Sequence, residues 1–263
     1  MPDLYLVWGG IGDDLPWGIR CSTSLPNFEQ PQTNLEAHGL SPTYLDSGAS
    51  LLALSDRILY INAYQFDAPG FPLGLGHNDY MCGAYCQSWP NWALTGVNGG
   101  FPGSASNGNP ALAKWGTGAL AVWNGIGDDT QIWCSQYNQS QNAWSAQYLT
   151  ELAGTGAPIQ AGASPAIVSL NGVLFMVWRG EGSNDSLYYA TSTDGFTWTG
   201  NRQIAGAAST HQPALVDFNG YPVLCFKGAI TMGAFTPQPS ISAINSGLRS
   251  TPPVHSVLPM VRP

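Results

Sequence analysis

Four short loops concentrate carboxylates and amides in this 263-residue chain: Gly12-Asp13-Asp14, His77-Asn78-Asp79, Gly127-Asp128-Asp129 and Asn184-Asp185. Aromatic residues follow them, among them Trp17, Trp133, Tyr188 and Tyr189. Carboxylates and amides make paired hydrogen bonds with hydroxyls, and an aromatic face packs on the apolar C–H side of a sugar ring. Asp13, Asp14, Trp17, His77, Asn78, Asp79, Asp128, Asp129, Trp133, Asn184, Asp185 and Tyr188 are therefore the candidate carbohydrate-binding residues. Repetition predicts several weak sites on one rigid body, and such sites gain by avidity. The same residues also have a structural use, since Asp bonds backbone amides in turns and Gly supplies positive φ.

Metal chemistry is less well served. Repeated Asp and Asn in Gly-rich loops offer oxygen ligands for calcium, but the Asp-x-Asp-x-Asp-Gly loop is missing. Cys82 and Cys86 lie four apart, a spacing open to a local disulfide or a metal, yet no second Cys pair or His pair accompanies them. Cys21, Cys134 and Cys225 read as small apolar strand residues. The expectation is a protein with no cofactor.

Composition narrows the partners. Eight basic against 16 acidic residues give a net charge of −8, with no Lys/Arg cluster, which argues against nucleic acid. No apolar run approaches the ~18 residues of a membrane helix, so no membrane insertion is expected. The start, Met1-Pro2-Asp3-Leu4-Tyr5-Leu6, lacks the basic and long apolar regions of a secretory signal. That reading implies a cytoplasmic or non-classically secreted protein. Glycans remain as the expected partner.

The loops recur because the chain repeats. LAVWNGIGDDTQIWCSQYNQSQNAW at 120–144 matches LFMVWRGEGSNDSLYYATSTDGFTW at 174–198, and LYLVWGGIGDD at 4–14 opens the same way. Weaker copies are ILYINAYQF at 58–66 and YPVLCFKG at 221–228. Pro-Ala-Leu or Pro-Ala-Ile precedes three copies, at Pro110, Pro165 and Pro213, and Asn171-Gly172 and Asn219-Gly220 separate two of these from the next run. Asn-Gly between alternating apolar runs is a strong hairpin signal. Each unit thus predicts four short antiparallel strands. One helical turn is allowed at 149–153 and another at 34–40.

The strand-two aromatics Trp8, Tyr64, Trp123, Trp178 and Phe226 are spaced by 56, 59, 55 and 48, and by 45 from Phe226 round through both termini to Trp8. Five units of similar length predict an all-β, single-domain, five-bladed β-propeller over 1–263. Leu258-Pro259-Met260-Val261 is expected to supply the inner strand of the first blade, closing the ring by strand exchange. Trp8, Trp123 and Trp178 read as packing between blades rather than ligand contacts.

The Pro-Ala-Leu, Asn-Gly, Val-Trp and aromatic pattern resembles repeat-type β-propeller lectins of microbes and fungi. Ser192-Thr193-Asp194-Gly195-Phe196-Thr197-Trp198 resembles a shortened Asp box of sialidase-type propellers. The lectin resemblance implies glycan pockets at or between blades on one face, often without metal. Arabinanase-like enzymes share the strand-one pattern but place an Asp just before its Pro, where this chain has Asn109, Ser164, Gln212 and Leu258. Glycoside hydrolysis generally needs two carboxyls, and the four Glu residues, Glu29, Glu36, Glu151 and Glu181, occupy no repeat-matched inner-strand position; Glu181 with Asp185, on one loop, is the pair left to such an enzyme. The expectation is a multivalent lectin rather than an enzyme; a propeller glycosidase and a protein-interaction propeller are the alternatives.

Overall fold

A computed structural model describes residues 4–9, 16–21, 33–35, 49–65, 79–95, 100–106 and 108–228. These residues form five sheets in chain order. Blade 1 holds β1 (Leu4–Gly9), β2 (Pro16–Cys21) and β3 (Thr33–Asn34). Blade 2 holds β4 (Ala49–Ala53), β5 (Ile58–Gln65) and β6 (Asp79–Ser88), with β7 (Asn91–Leu94) and β8 (Gly100–Ala105) sharing the outer side of β6. In blade 3, β9 (Ala111–Trp115), β10 (Gly118–Asn124) and β11 (Ile132–Asn138) are followed by β12 (Ala143–Trp144) and β13 (Tyr148–Leu149), both paired to β11. Blade 4 comprises β14 (Glu151–Leu152), β15 (Ala166–Leu170), β16 (Val173–Arg179), β17 (Ser186–Ser192) and β18 (Thr197–Ala208). Blade 5 is described as the hairpin β19 (Ala214–Phe218) and β20 (Tyr221–Cys225).

The radial order follows from side-chain alternation, which sends successive residues of a strand to opposite faces. All of β10 is buried. Its Leu120 and Val122 pack with Met176 and Trp178 of blade 4, while Ala121 and Trp123 pack with Leu59 and Ile61 of blade 2. Strand β5 behaves alike: Tyr60 turns the other way, into a cluster with Leu35, which follows β3. Val177 of β16 meets Leu224 of blade 5. Four hydrophobic interfaces therefore join five successive blades. The first strands β4, β9, β15 and β19 touch in sequence and lie innermost. Trp123 and Trp178 are both buried between blades, as the strand pattern requires.

The Asn-Gly turns form as anticipated. Asn171 and Gly172 take φ of 51° and 78°, and Asn219 and Gly220 take 54° and 82°. Two consecutive positive φ values match the right-handed twist of the flanking strands. The fold is an all-β, five-bladed propeller, without a helix among the described residues.

Three expectations fare differently. Residues 149–153 form no helical turn; Leu149 ends β13, and Glu151–Leu152 is β14, which runs parallel to β18. That outermost strand makes blade 4 five-stranded and partly parallel, because the connection from blade 3 passes along its edge before turning inward. The strand-exchange closure through Leu258–Val261 lies outside the described residues. Cys86 is a free buried thiol, so it forms no disulfide with Cys82; burial raises the Cys86 and Cys134 thiols above the ordinary range, which suits inert core residues.

Candidate functional site

The loops between the second and third strands of blades 3 and 4 are built alike, residue for residue. In blade 3, Gly125 N donates to Gln131 O and Asp129 N to Ile126 O; in blade 4, Gly180 N donates to Ser186 O and Asn184 N to Glu181 O. Gly127 and Gly182 take φ of 64° and 61°. A Cβ on Gly125 would fall on the Asp129 carboxyl, and one on Gly180 on the Asn184 amide. Both glycines are thus required by close approach.

The side chains of Asp129 and Asn184 complete these turns. Asp129 accepts from Gln131 N (3.0 Å) and from Trp133 Nε1 (2.8 Å). Asn184 accepts from Ser186 N (3.1 Å) and donates through Nδ2 to Tyr188 OH (3.0 Å). Each ties its loop to an aromatic near the start of the next strand. Asp185 is likewise engaged. Its carboxylate takes Arg179 Nε at 2.9 Å and Nη2 at 2.7 Å, while the same guanidinium donates to Gly162 O and Gly182 O. Hydrogen-bonding capacity expected to face a ligand therefore holds the loops together. Asp128 is exposed on its turn and lines no described cavity.

One cavity of about 270 Å³ lies on the face of blade 4 that looks toward blade 3. Trp178 of β16, Tyr188 of β17 and Asn201 of β18 form its wall, and Gly180, Glu181 and Asn184 its rim. Leu152, Pro158, Ile159 and Gln160 close it from the connection between the blades. That connection is held by Ile132 N to Ile159 O (2.8 Å), Ile159 N to Thr150 O (3.0 Å) and Ala161 N to Thr130 O (2.7 Å). The Trp178 and Tyr188 rings, cross-strand partners, stack with centroids 6.3 Å apart and planes 23° from parallel. Thr130 Oγ1 of blade 3 donates to Glu181 Oε1 at 3.2 Å, so the cavity's carboxylate is steered by the neighbouring blade.

Asn201 owes its place to an irregularity. Tyr189 pairs with Arg202 and Ala190 with Gly200, leaving Asn201 as an extra residue in β18. Its φ is 68°, and Gly200 takes 127°. A bulge of this kind re-aims a side chain at the edge of a site, and here Asn201 lines the cavity.

Of the sequence-predicted set, Asn184 and Tyr188 meet at this cavity; Asp185 braces it through Arg179. Asp128, Asp129 and Trp133 belong to the equivalent loop of blade 3, where Ile126 stands in the position of Glu181. Repetition of the fold therefore does not repeat the chemistry in these two blades. Asp13, Asp14, His77 and Asn78 lie outside the described residues; Trp17 falls in β2 opposite Trp8, and Asp79 opens β6 instead of ending a loop. Gln160, Glu181 and Asn201 also line the cavity and stand outside the twelve candidates; Trp178 lines it too while packing between the blades. The Glu181 signal was present in the repeat, as the acid that replaces Ile126.

Near the axis, the residues that precede the first-strand prolines come together without a carboxylate. Gln212 Nε2 donates to Asn109 O (3.1 Å) and Pro165 O (3.2 Å), and Ser164 Oγ donates to Asn124 Oδ1 at 2.6 Å. Among the described residues, no three His, Cys, Asp or Glu side chains gather as a metal site. No helix among them is long and apolar enough to cross a membrane.

No protein-family model and no curated protein matches the chain. Solved structures do. A triple arginine-to-alanine mutant of AofleA from Arthrobotrys oligospora is similar with a TM-score of 0.54 at 10% identity, over 85% of this chain and 64% of that one. A protein of unknown function from Dyadobacter fermentans gives 0.51 at 13% identity, over 80% and 63%. The GH43 endo-arabinanase from Bacillus licheniformis gives 0.47 at 13% identity, over 88% and 87%. The likeness is one of fold. The expectation of a protein that is not an enzyme is withdrawn: a fold does not fix function, and glycoside hydrolases are among the structures similar to this chain.

Proposed function

We propose that this chain is a carbohydrate-active propeller that seats a saccharide unit in the cavity of blade 4. The observation that carries the reading is the composition of that cavity: one carboxylate, Glu181, with the amides of Gln160 and Asn201, beside the Tyr188 and Trp178 rings. Sugar recognition needs this mixture, an apolar face for the ring and a few polar groups that fix its hydroxyls.

Glycoside hydrolysis is the activity to test first. Glu181 is the group able to carry a proton to or from a glycosidic oxygen, and hydrolysis requires a second carboxyl within about 5–10 Å. Asp185, on the same loop, is committed to Arg179. The axial positions that resemble those of arabinanase-like enzymes hold Asn109, Ser164 and Gln212, so the chemistry of such an enzyme would not sit there in the usual form.

The test pairs a broad glycan array with release of sugar from aryl glycosides, on the wild type, Glu181→Gln and Tyr188→Ala. Binding lost in Tyr188→Ala supports the cavity as the site, and turnover lost in Glu181→Gln with binding kept assigns it the proton. Binding unaffected by either variant contradicts the reading.

A further inference from the structure

We infer that the blade 4 cavity selects a single neutral sugar residue and rejects sugars carrying a carboxylate. This inference rests on the carbohydrate reading of the same cavity. Size comes first: about 270 Å³ lies just below the usual range of ligand pockets, about 300 to 1,000 Å³. That is room for one ring. Charge comes second. Glu181 is the one acidic residue in the lining, and the lining holds no Lys, Arg or His.

The guanidinium of Arg179, beside the rim, has its three nitrogens all occupied. Nε binds Asp185 Oδ1, Nη1 binds Gly162 O, and Nη2 binds both Gly182 O and Asp185 Oδ1. Recognition of a sugar carboxylate calls for a planar fork of donors turned toward it. Here that fork is turned into the loop. A uronate or sialoside in the cavity would instead meet the Glu181 carboxylate, and like charges at close range disfavour binding. Neutral hydroxyls meet no such barrier. Glu181 accepts from them, and the Gln160 and Asn201 amides both donate and accept.

The experiment is calorimetric titration of the whole chain with matched methyl glycosides that differ only at C6: glucoside against glucuronide, and galactoside against galacturonide. Wild type is expected to favour the neutral member at least about tenfold at low salt, with the ratio shrinking as salt screens the repulsion. Glu181→Gln is expected to bring the two members of each pair to within about threefold. Circular dichroism checks that the variant is folded. Uronates that bind as tightly as their neutral partners overturn the inference, as does a ratio that Glu181→Gln leaves unchanged. If neither member of any pair binds, the carbohydrate reading itself fails, and this inference with it.

Discussion

Thr130 and Glu181, 51 positions apart in the chain, are joined by a hydrogen bond from Thr130 Oγ1 to Glu181 Oε1 across the boundary between blades 3 and 4. Thr130 is fixed in turn, because its carbonyl accepts from Ala161 N. A cavity on one blade thus has its carboxylate aimed by the next, so blade packing and ligand chemistry are coupled.

Thr130→Val keeps the shape of the side chain and removes that donor. The exposed rim makes the bond weak in stability terms, on the order of 0.5 kcal/mol. Sugar affinity should nevertheless fall about two- to fivefold through looser positioning of Glu181, with little change in urea midpoint. Affinity unchanged in Thr130→Val would show that Glu181 needs no such guide.

Asp129 and Glu181 are expected to separate stability from binding. Asp129 bonds Gln131 N and the Trp133 indole within its own loop. Asp129→Ala should therefore cost about 1–2 kcal/mol of folding stability and leave sugar binding at blade 4 intact. Equilibrium denaturation beside a binding titration reads both. A large loss of binding with stability preserved would restore Asp129 as a ligand contact.

Acid should weaken the turn at Asp194. Burial alone would raise its carboxyl; the Thr197 and Phe196 amides and the Ser192 hydroxyl outweigh that and hold it below the usual carboxylate range. A depressed folded value means that the contribution is complete above the unfolded carboxylate range and is lost as pH falls through the folded value. Asp194→Ala should lower the denaturation midpoint at pH 7, and its gap from wild type should narrow below about pH 4. A gap that is constant from about pH 7 to about pH 3 would mean that the charge of Asp194 is not what closes the turn.

Gly172→Ala tests the hairpin between β15 and β16. The residue sits at φ 78°, and a Cβ there meets no neighbour within 4 Å, so the cost is one of backbone conformation alone. It should come to about 1–2 kcal/mol, measured by urea unfolding.

The blade repeat was legible in the sequence because its signals are local. Asn171-Gly172 and Asn219-Gly220 specify their own turns, and the Val-Trp strands are the continuous apolar runs that a strand buried on both faces requires. The cavity was not legible for the opposite reason. Pro158, Ile159 and Gln160 reach it only because their segment pairs with β11 through Ile132, and Asn201 only because β18 bulges against β17. The Asp and Asn residues were ambiguous because one side chain serves equally to close a turn and to bind a hydroxyl, and composition cannot tell the two apart. Comparing Ile126 with Glu181 across the repeats would have pointed to blade 4.

The most direct measurement is a crystal of the protein soaked with its best-binding neutral glycoside. The account predicts one sugar ring against Tyr188 in the blade 4 cavity, with a hydroxyl on Glu181 and the Gln160 and Asn201 amides within hydrogen-bond reach. A sugar seated on the Asp128–Asp129 loop of blade 3, with the blade 4 cavity left empty, would contradict it.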